Sequence, residues 1–317
     1  MDPGSDKYAA VEQPPVVPVD PALTDFARSE VRRHLGQSST VSHVEVVRSG
    51  SHDAVLQLTV GASSRRLVLK ASAPDDARPI DYERTATVTE LARAAGTPTP
   101  AVLAVDTSCR AGPWRYLLLE HVEGLEWRKL RGRLDDHEAR SAHRQIAAAV
   151  LSMQSVHFSS FGELDGLGQS AGHDLRTALR ARAELRIKNE RARDLFEHLL
   201  DREADLFEPQ TSVLCHDDLH HGNLIFRASP SGWRLAAVLD WDKAWAGPRE
   251  SDIARMTFWD DMTGPGFWEV YRAEVPSTAG ELQRMPIYQL LWCLEYDDHS
   301  ARHLADTDAL RRQLGLP

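Results

Sequence analysis

The segment "VLCHDDLHHGNLIF", residues 213–226, constrains this chain more than any other part of its sequence. It places a dense set of titratable and amide side chains between two apolar runs that have the character of buried strands. The set consists of His216, Asp217, Asp218, His220, His221 and Asn223. Farther along, the strand-like stretch "LAAVLD" ends at Asp240. A solvated loop rarely needs so many such groups, so the segment predicts a site that holds a metal ion or a phosphate.

Composition excludes several other classes of protein. The chain has 317 residues, which is enough for two domains or one large two-lobed domain. Its net charge is −10, and no basic patch of the kind that nucleic-acid-binding proteins carry is evident. No apolar stretch has the length of a membrane span, and the N-terminus lacks the pattern of a secretory signal. The three cysteines, Cys109, Cys215 and Cys293, are too sparse for a disulfide framework, so we expect a cytoplasmic protein.

The pattern of hydrophobic residues changes along the chain. Residues 1–20 are rich in proline without periodicity and predict a mobile tail. Residues 21–123 contain several alternating stretches typical of an antiparallel sheet, together with two helical stretches. Residues 124–317 are mainly helical, with two long segments rich in alanine and arginine. The prediction is an α+β fold with a small sheet lobe and a larger helical lobe, joined near residues 120–124.

Three blocks of the sequence carry a resemblance to a known family. "HDDLHHGN", "LDW" and "AGPRESDIA" resemble the aminoglycoside phosphotransferase and choline kinase family, whose members typically read H-G-D-L-H-x-G-N, then I-D-W or I-D-F, then G-D-P and D-L-A. The matching residues are His216, Asp218, His220, Gly222, Asn223, Asp240, Trp241, Gly247, Pro248, Asp252, Ile253 and Ala254. The family shares the two-lobed protein-kinase-like fold, so the resemblance implies that fold here.

Two departures from the family pattern are visible. The order Gly-Asp-Pro is replaced by Ala-Gly-Pro, followed by Arg249. Asp217 stands where the family usually has glycine. Because a second carboxylate close to Asp218 would raise a pKa by repulsion, we expect Asp217 to point outward.

The resemblance also implies roles for individual residues. Asp218 would orient the attacking hydroxyl as the catalytic carboxylate, and Asn223 and Asp240 would hold Mg²⁺ against the phosphates of ATP, with GTP as the alternative nucleotide. His216 and Asp252 would support the catalytic loop. Taken alone, any one of these aspartates more often stabilises a turn or caps a helix. The ordered set is far more specific than its members.

The N-terminal lobe supplies the candidate nucleotide-binding residues. Lys70 closes the strand "RRLVLK" at the position of the family's phosphate-contacting lysine. Glu83 is the predicted ion-pair partner on the following helix, with Glu90 as the second choice. Ser51 lies in the candidate phosphate loop "RSGSHDAVL", which has a single glycine and is a weak signal by itself. Glu120 and Val122 resemble the hinge whose main chain binds adenine.

An acidic, tryptophan-rich segment near the C-terminus predicts the acceptor site. Its members are Asp260, Asp261, Trp292, Glu295 and Asp298. Carboxylates suit a polyamine sugar, and tryptophans suit a quaternary ammonium through cation–π contact. We therefore expect an ATP-dependent O-phosphotransferase that acts on a small, hydroxylated and cationic molecule, most simply an aminoglycoside-like or other antibiotic. The sequence does not reveal the oligomeric state.

Three alternatives remain open at this point. A choline, amino-alcohol or sugar kinase would have the same fold and machinery. A metallohydrolase would use His216, Asp218, His220 and His221 as metal ligands, but this reading leaves Asn223, Asp240 and Lys70 unexplained. A nucleotide-binding scaffold without activity would retain the fold, although all three central residues of the transfer site are present.

Overall fold

The computed structural model describes residues 20–49, 53–61, 64–73, 80–207, 211–259, 261–296 and 300–317. The predicted α+β fold is confirmed: an antiparallel sheet with two helices forms the N-terminal lobe, and the remainder is mainly helical. The proposed mobile tail lies outside the described residues, apart from Asp20. None of the helices in the described part of the chain is both long and apolar enough to cross a membrane.

The N-terminal lobe is built on five antiparallel strands in the order β1-β2-β3-β5-β4. They are β1 (Val41–Ser49), β2 (Ala54–Val60), β3 (Arg65–Ser72), β4 (Val102–Asp106) and β5 (Arg115–Glu120). Helix α1 (Pro21–Leu35) and helix α2 (Tyr82–Ala94) pack on this sheet. Asp20 and Asp81 cap the two helices, because each side chain accepts a hydrogen bond from a first-turn N–H group.

Strand alternation gives the sheet two different faces. On β3, Leu67 and Leu69 are fully buried in a core that includes Phe26 of α1. Val68 and Lys70 point to the opposite side, where they line a cleft. The period of two along a strand therefore directs the lysine of β3 into the space between the lobes.

The C-terminal lobe contains the remaining elements. The strands are β6 (Leu125–Glu126), β7 (His157–Phe158), β8 (Gly162–Glu163), β9 (Ser212–Cys215), β10 (Leu224–Ser229), β11 (Gly232–Val238) and β12 (Trp245–Pro248). The helices are α3 (Trp127–Leu130), α4 (Asp136–Met153), α5 (Leu175–Arg186), α6 (Glu190–Arg202), α7 (Glu250–Met256), α8 (Pro265–Glu274), α9 (Ala279–Glu295) and α10 (Ala301–Gln313). Most of their apolar faces meet in two large cores.

The second of the two predicted long helical segments is divided into α5 and α6. The break falls at Ile187, which has an extended backbone conformation. Asn189 then begins α6, since its side-chain oxygen accepts a hydrogen bond from the Ala192 N–H group at 3.1 Å. An asparagine that caps a new helix competes with continuation of the old one, which explains the division.

Two small sheets bring the functional loops together. Strand β9 lies between β7 and β12, and Cys215 at its end pairs with Trp245. Strand β10 pairs with β11, so that Leu224 at the start of one is opposite Val238 at the end of the other. The loop from β9 to β10 and the turn after β11 are therefore neighbours. These two connections contain the sequence blocks that suggested phosphoryl transfer.

Candidate active site

The catalytic loop begins where buried β9 ends at Cys215. The next two backbone N–H groups, of His216 and Asp217, donate to the two carboxylate oxygens of Asp252 at 3.1 and 2.7 Å. Asp252 is fully buried in α7. One side chain thus satisfies two buried backbone donors and fixes the start of the loop against the helix.

His216 connects the catalytic loop to the turn after β11. Its Nδ1 accepts a hydrogen bond from the Asp218 N–H group at 3.1 Å, which places the ring proton on Nε2. That nitrogen donates to the carbonyl oxygen of Leu239 at 2.8 Å, next to Asp240. Burial lowers the pKa of His216, so the ring is neutral at pH 7. The histidine acts as a fixed link between two loops.

The Asp218 carboxylate lies between two cationic side chains. Arg255 Nη2 is 3.1 Å from one of its oxygens, and Lys243 Nζ is 3.2 Å from the other. Burial opposes ionisation, but the charges of Arg255 and Lys243 outweigh it and lower the pKa of Asp218. The carboxylate is therefore ionised at neutral pH and able to accept a hydrogen bond from a hydroxyl group.

Asn223 and Asp240 present oxygen atoms to the same cleft. The Asn223 side-chain nitrogen donates to the Asp218 carbonyl oxygen at 2.9 Å, which leaves the amide oxygen for another partner. The Asn223 carbonyl oxygen accepts from the Leu239 N–H group at 2.8 Å. Asp240 follows with a left-handed backbone, φ 65°, a conformation that aspartate tolerates better than most residues. An amide oxygen and a carboxylate are suitable ligands for Mg²⁺.

Lys70 reaches across the cleft from the N-terminal lobe. Its ammonium group lies 2.5 Å from a carboxylate oxygen of Asp240 and 3.0 Å from one of Asp242. Burial alone would lower the pKa of Lys70, but the two carboxylates raise it above its ordinary value. The lysine is therefore a fixed positive charge beside Asp240, one of the two candidate oxygen ligands, and such a charge suits phosphate binding.

The predicted ion pair between Lys70 and Glu83 does not form, although the structure describes both residues. Glu83 instead accepts a hydrogen bond from the Thr107 hydroxyl group at 2.5 Å. Glu90 accepts from the N–H group at the start of β4. Because Glu83 and Glu90 are seven residues apart, they share one helix face, whereas Thr85 lies on the face of α2 that lines the cleft. The helical phase of α2 therefore turns both glutamates away from the lysine.

The expectation that Asp217 points outward is wrong. Its side chain is buried, with the guanidinium group of Arg182 against one oxygen and the Ser251 hydroxyl group 2.9 Å from the other. Arg255 Nη1 is 3.4 Å from the same oxygen that Arg182 contacts. Burial opposes ionisation, but Arg182 and Arg255 lower the pKa of Asp217. The backbone φ is 58°, a region open to glycine and acceptable to aspartate, which accounts for the exchange of one for the other.

The cleft between the lobes has a volume of about 470 Å³. Its lining is largely apolar and also includes Lys70, Asn223 and Asp240. The apolar residues include Val55, Val68, Leu117, Leu119, Ile225 and Leu239. Both predicted hinge residues, Glu120 and Val122, line it. Ser51 lies outside the described residues. An apolar slot that ends in a lysine and oxygen ligands suits a purine nucleotide.

The acidic residues predicted for the acceptor site have partners within the chain. Glu295 is partly buried, 3.7 Å from Arg182 and 3.9 Å from Arg186. Asp261 is exposed and 2.7 Å from Arg131. The remaining two acidic candidates, Asp260 and Asp298, lie outside the described residues. The two acids that the structure places are therefore already balanced by arginines.

An aromatic cluster lies beside the catalytic loop. Trp292 is buried between the rings of Phe258 and Tyr296, with centroid distances of 4.8 and 5.7 Å. Trp259 extends this cluster and contacts the His220 ring at 5.4 Å. Trp292 thus lies inside the cluster, while Trp259, which was not predicted from the sequence, lies nearer to the catalytic loop.

Several side chains that shape the site were not predicted from the sequence. They are Arg182, Asp242, Lys243 and Arg255. Asp242 and Lys243 directly follow the "LDW" block, so their position in the sequence was an available signal. Arg182 in α5 and Arg255 in α7 have no motif of their own. Only the fold brings them to the catalytic loop, since α5 packs beside β8 and α7 is tied to the loop through Asp252.

The metallohydrolase alternative is unsupported. Across the ranges that the structure describes, no three His, Cys, Asp or Glu side chains form a group able to hold a metal ion. His216 is engaged with two backbone groups, as described above. His220 accepts a hydrogen bond from the Gly222 N–H group at 3.0 Å, and burial lowers its pKa to about 4. These two histidines of the motif therefore stabilise the loop.

Comparisons with known proteins agree with the fold. The profile of the phosphotransferase enzyme family, APH, matches residues 43–283. No curated protein matches the chain by sequence. Among solved structures, the GDP complex of a variant of aminoglycoside 2'-phosphotransferase-IIIa is 13% identical with a TM-score of 0.57, and the alignment covers 93% of this chain and 95% of that one.

Two further solved structures show the same fold with other acceptors in their descriptions. Amicoumacin kinase, in complex with AMP-PNP, Ca²⁺ and amicoumacin, is 12% identical with a TM-score of 0.56 and coverage of 93% and 96% of the two chains. The ethanolamine kinase of Plasmodium vivax is 13% identical with a TM-score of 0.51 and coverage of 84% and 81%. At these identities the likeness establishes the fold.

Proposed function

Because the chain belongs to the phosphotransferase enzyme family and is a small-molecule kinase, we propose that it transfers the γ-phosphate of ATP to a hydroxyl group, with Asp218 as the catalytic carboxylate. The observation that carries the proposal is that Lys70, Asn223 and Asp240 line the cleft together, while Asp218 lies beside them, with its carbonyl oxygen bonded to the Asn223 side chain and its carboxylate within the field of Asp240. This set provides a fixed cation, two oxygen ligands and a base, which are the parts that phosphoryl transfer needs.

The apolar walls of the cleft would hold the nucleotide base, and Lys70 would contact its phosphates. Asn223 and Asp240 would hold Mg²⁺, which when bound neutralises phosphate charge during transfer. The arrangement does not distinguish ATP from GTP by itself. The apolar slot accepts either purine, so nucleotide preference is one of the quantities to be measured.

Asp218 would act mainly by orientation. A hydroxyl group that donates to its carboxylate has its oxygen directed at the γ-phosphorus. As the new O–P bond forms and the bond to ADP breaks, the hydroxyl proton passes to the Asp218 carboxylate. Because Arg255 and Lys243 lower the pKa of Asp218, this proton transfer occurs late, and positioning supplies most of the rate enhancement.

For the acceptor we propose a small, hydroxylated and cationic molecule of the antibiotic class. The partly exposed rings of Trp259 and Tyr296 support this choice, since such rings bind ammonium groups and sugar faces. Amino alcohols such as ethanolamine are the second candidate. Phosphorylation of an antibiotic hydroxyl group would protect cells, so growth in its presence gives an independent readout.

The test is an ADP-release screen with product analysis across aminoglycosides, other antibiotics, choline, ethanolamine and sugars. Asp218→Asn is the blank, and Asp194→Asn is the matched control because Asp194 is exposed on α6. We expect acceptor-dependent ADP release that falls about 10² to 10⁴-fold in Asp218→Asn and is unchanged in the control. Nucleotide binding without transfer to any acceptor, or full turnover by Asp218→Asn, would contradict the proposal.

A further inference from the structure

The face of helix α2 that lines the cleft carries threonines. Thr85 and Thr89 both line it, while Glu83 contacts Thr107 at the far side of the helix. An ion-pair partner for Lys70 from α2 would have to stand on the cleft-lining face. In the described part of the helix that position belongs to Thr85, whose short side chain carries no charge.

A carboxylate from the other lobe occupies this space. One oxygen of Asp242 accepts a hydrogen bond from the Thr85 hydroxyl group at 2.9 Å, and the other accepts from Lys70 Nζ at 3.0 Å. The Asp242 side chain is 19% exposed, and that of Lys70 is 11% exposed. The pair is therefore largely excluded from water. In such an environment a charge-assisted hydrogen bond restrains a lysine strongly.

The backbone around Asp242 is also held in place. Its carbonyl oxygen accepts from Arg84 Nη2 at 2.5 Å. Its neighbour Trp241 is buried, with the indole N–H group donating to the Val238 carbonyl oxygen at 3.0 Å. Asp242 is thus fixed to α2 at both its side chain and its main chain, so that it is a rigid support for the lysine.

Lys70 has two carboxylate partners, and of these two Asp240 is also a proposed ligand of the cation. Asp240 lines the cleft and is a proposed oxygen ligand, so a bound cation would compete with Lys70 for its oxygens. Asp242 is held by Thr85 and turned toward α2. From this geometry we propose that Asp242 is the positioning residue of Lys70, in the place predicted from the sequence for a glutamate of α2, with Thr85 as its support. The inference rests on the proposed function, because it assigns Lys70 to the phosphates of the nucleotide.

A double-mutant cycle tests whether Asp242 acts through Lys70. The proteins are the wild type, Asp242→Asn, Lys70→Met and the double variant, assayed for kcat/KM toward ATP with an acceptor identified in the screen above. We expect Asp242→Asn to lower turnover about 10²-fold, as misplacement of a catalytic group by about 1 Å does. In the Lys70→Met background the same change should cost less than about threefold, because no lysine remains to be positioned.

The free energy of unfolding of the same four proteins is also measured by chemical denaturation, without metal ion or nucleotide. Asp242→Asn should destabilise the wild type, whereas in the Lys70→Met background it should be neutral or stabilising, since it removes a carboxylate that has lost its cation. This reversal of sign is not expected of a residue with a general structural role. Adenosine affinity, which does not involve the phosphates, should be equal in all four proteins and shows that the cleft is intact.

Glu83→Gln is the discriminating variant, because it tests the partner that the sequence favoured. We expect it to leave turnover and the unfolding cycle unchanged. Equal losses from Asp242→Asn in both Lys70 backgrounds, or a coupling with Lys70 found for Glu83 instead, would overturn the inference. Absence of ATP-dependent transfer by the wild type would instead refute the proposed function, and the role of Asp242 with it.

Discussion

Arg255 Nη2 lies 3.1 Å from the Asp218 carboxylate, while the neighbouring Nη1 of the same guanidinium group lies 3.4 Å from the Asp217 carboxylate. One arginine, whose side chain is only 6% exposed, therefore contacts two consecutive aspartates. The other oxygen of Asp218 is contacted by Lys243, whose side chain is 38% exposed. The proposed catalytic carboxylate is thus held between one buried cation and one that solvent reaches.

Removal of the Lys243 charge should alter the pH dependence of catalysis. Lys243 and Arg255 together lower the pKa of Asp218 against the opposing effect of burial. In Lys243→Met we expect the pKa of Asp218 to rise, so that the carboxylate is protonated at a higher pH. The acid limb of the pH profile of kcat/KM should therefore move to higher pH. Lys188→Met is the matched control, since Lys188 is exposed and remote from the motif. An acid limb that stays in place in Lys243→Met would contradict the assignment of Asp218.

Replacement of Asp217 by the glycine usual in the family should destabilise this protein. Glycine removes the backbone strain at φ 58°, a gain of about 1 kcal/mol. It also leaves Arg182 and Arg255 buried without that carboxylate, and breaking a buried ion pair costs about 3–5 kcal/mol. We therefore expect Asp217→Gly to lower the free energy of unfolding by a few kcal/mol, measured by chemical denaturation. A variant as stable as the wild type would show that the ion pairs contribute little.

The same aspartate should make stability depend on pH in the acid range. The pKa of Asp217 is lower in the folded protein than in the unfolded chain, where it is about 3.9. Its stabilising contribution is therefore fully present above that value and is lost as the pH falls toward the folded pKa. The free energy of unfolding, measured between pH 7 and pH 3, should fall more steeply with decreasing pH in the wild type than in Asp217→Asn. Parallel curves would contradict this.

Transfer should depend on a divalent cation that Asn223 helps to hold. Chelation should stop turnover and added Mg²⁺ should restore it, while Asn223→Ala should require a higher Mg²⁺ concentration for half-maximal rate because one oxygen ligand is lost. Asn189→Ala is the matched control. It removes the cap of α6, at a cost of about 1 kcal/mol in stability, but should leave the Mg²⁺ requirement unchanged. The same requirement in both variants would argue against Asn223 as a ligand.

The sequence was sufficient for the fold and for the central motif because each block combines a fixed spacing with a strand context. Lys70 was predicted from its position at the end of the third strand, and strand alternation turns it toward the cleft in the structure. Glu83 was misassigned because the choice among neighbouring positions on α2 depends on helical phase, and a shift of two residues turns the side chain through more than half of a turn. No property of the sequence alone sets that phase against the sheet.

The environment of Asp217 could not be predicted from the sequence for a different reason. Arg182 lies 35 positions earlier in the chain, in a helix whose many arginines look alike in composition. Only the packing of α5 beside β8 in the folded chain selects this arginine and buries it. The repulsion between two adjacent carboxylates is evident from the sequence, but the cations that the fold supplies to both are not.

Arg182 and Asp217 constrain each other in the evolution of this chain. Because they are buried together, loss of Asp217 leaves Arg182 with only Glu163 and Glu295, and loss of Arg182 leaves Asp217 with Arg255 as its remaining cation among those described above. An aspartate in the loop is therefore best tolerated where α5 supplies the arginine. Relatives with glycine at the position of Asp217 should have a cation at the position of Arg182 less often than relatives with aspartate there.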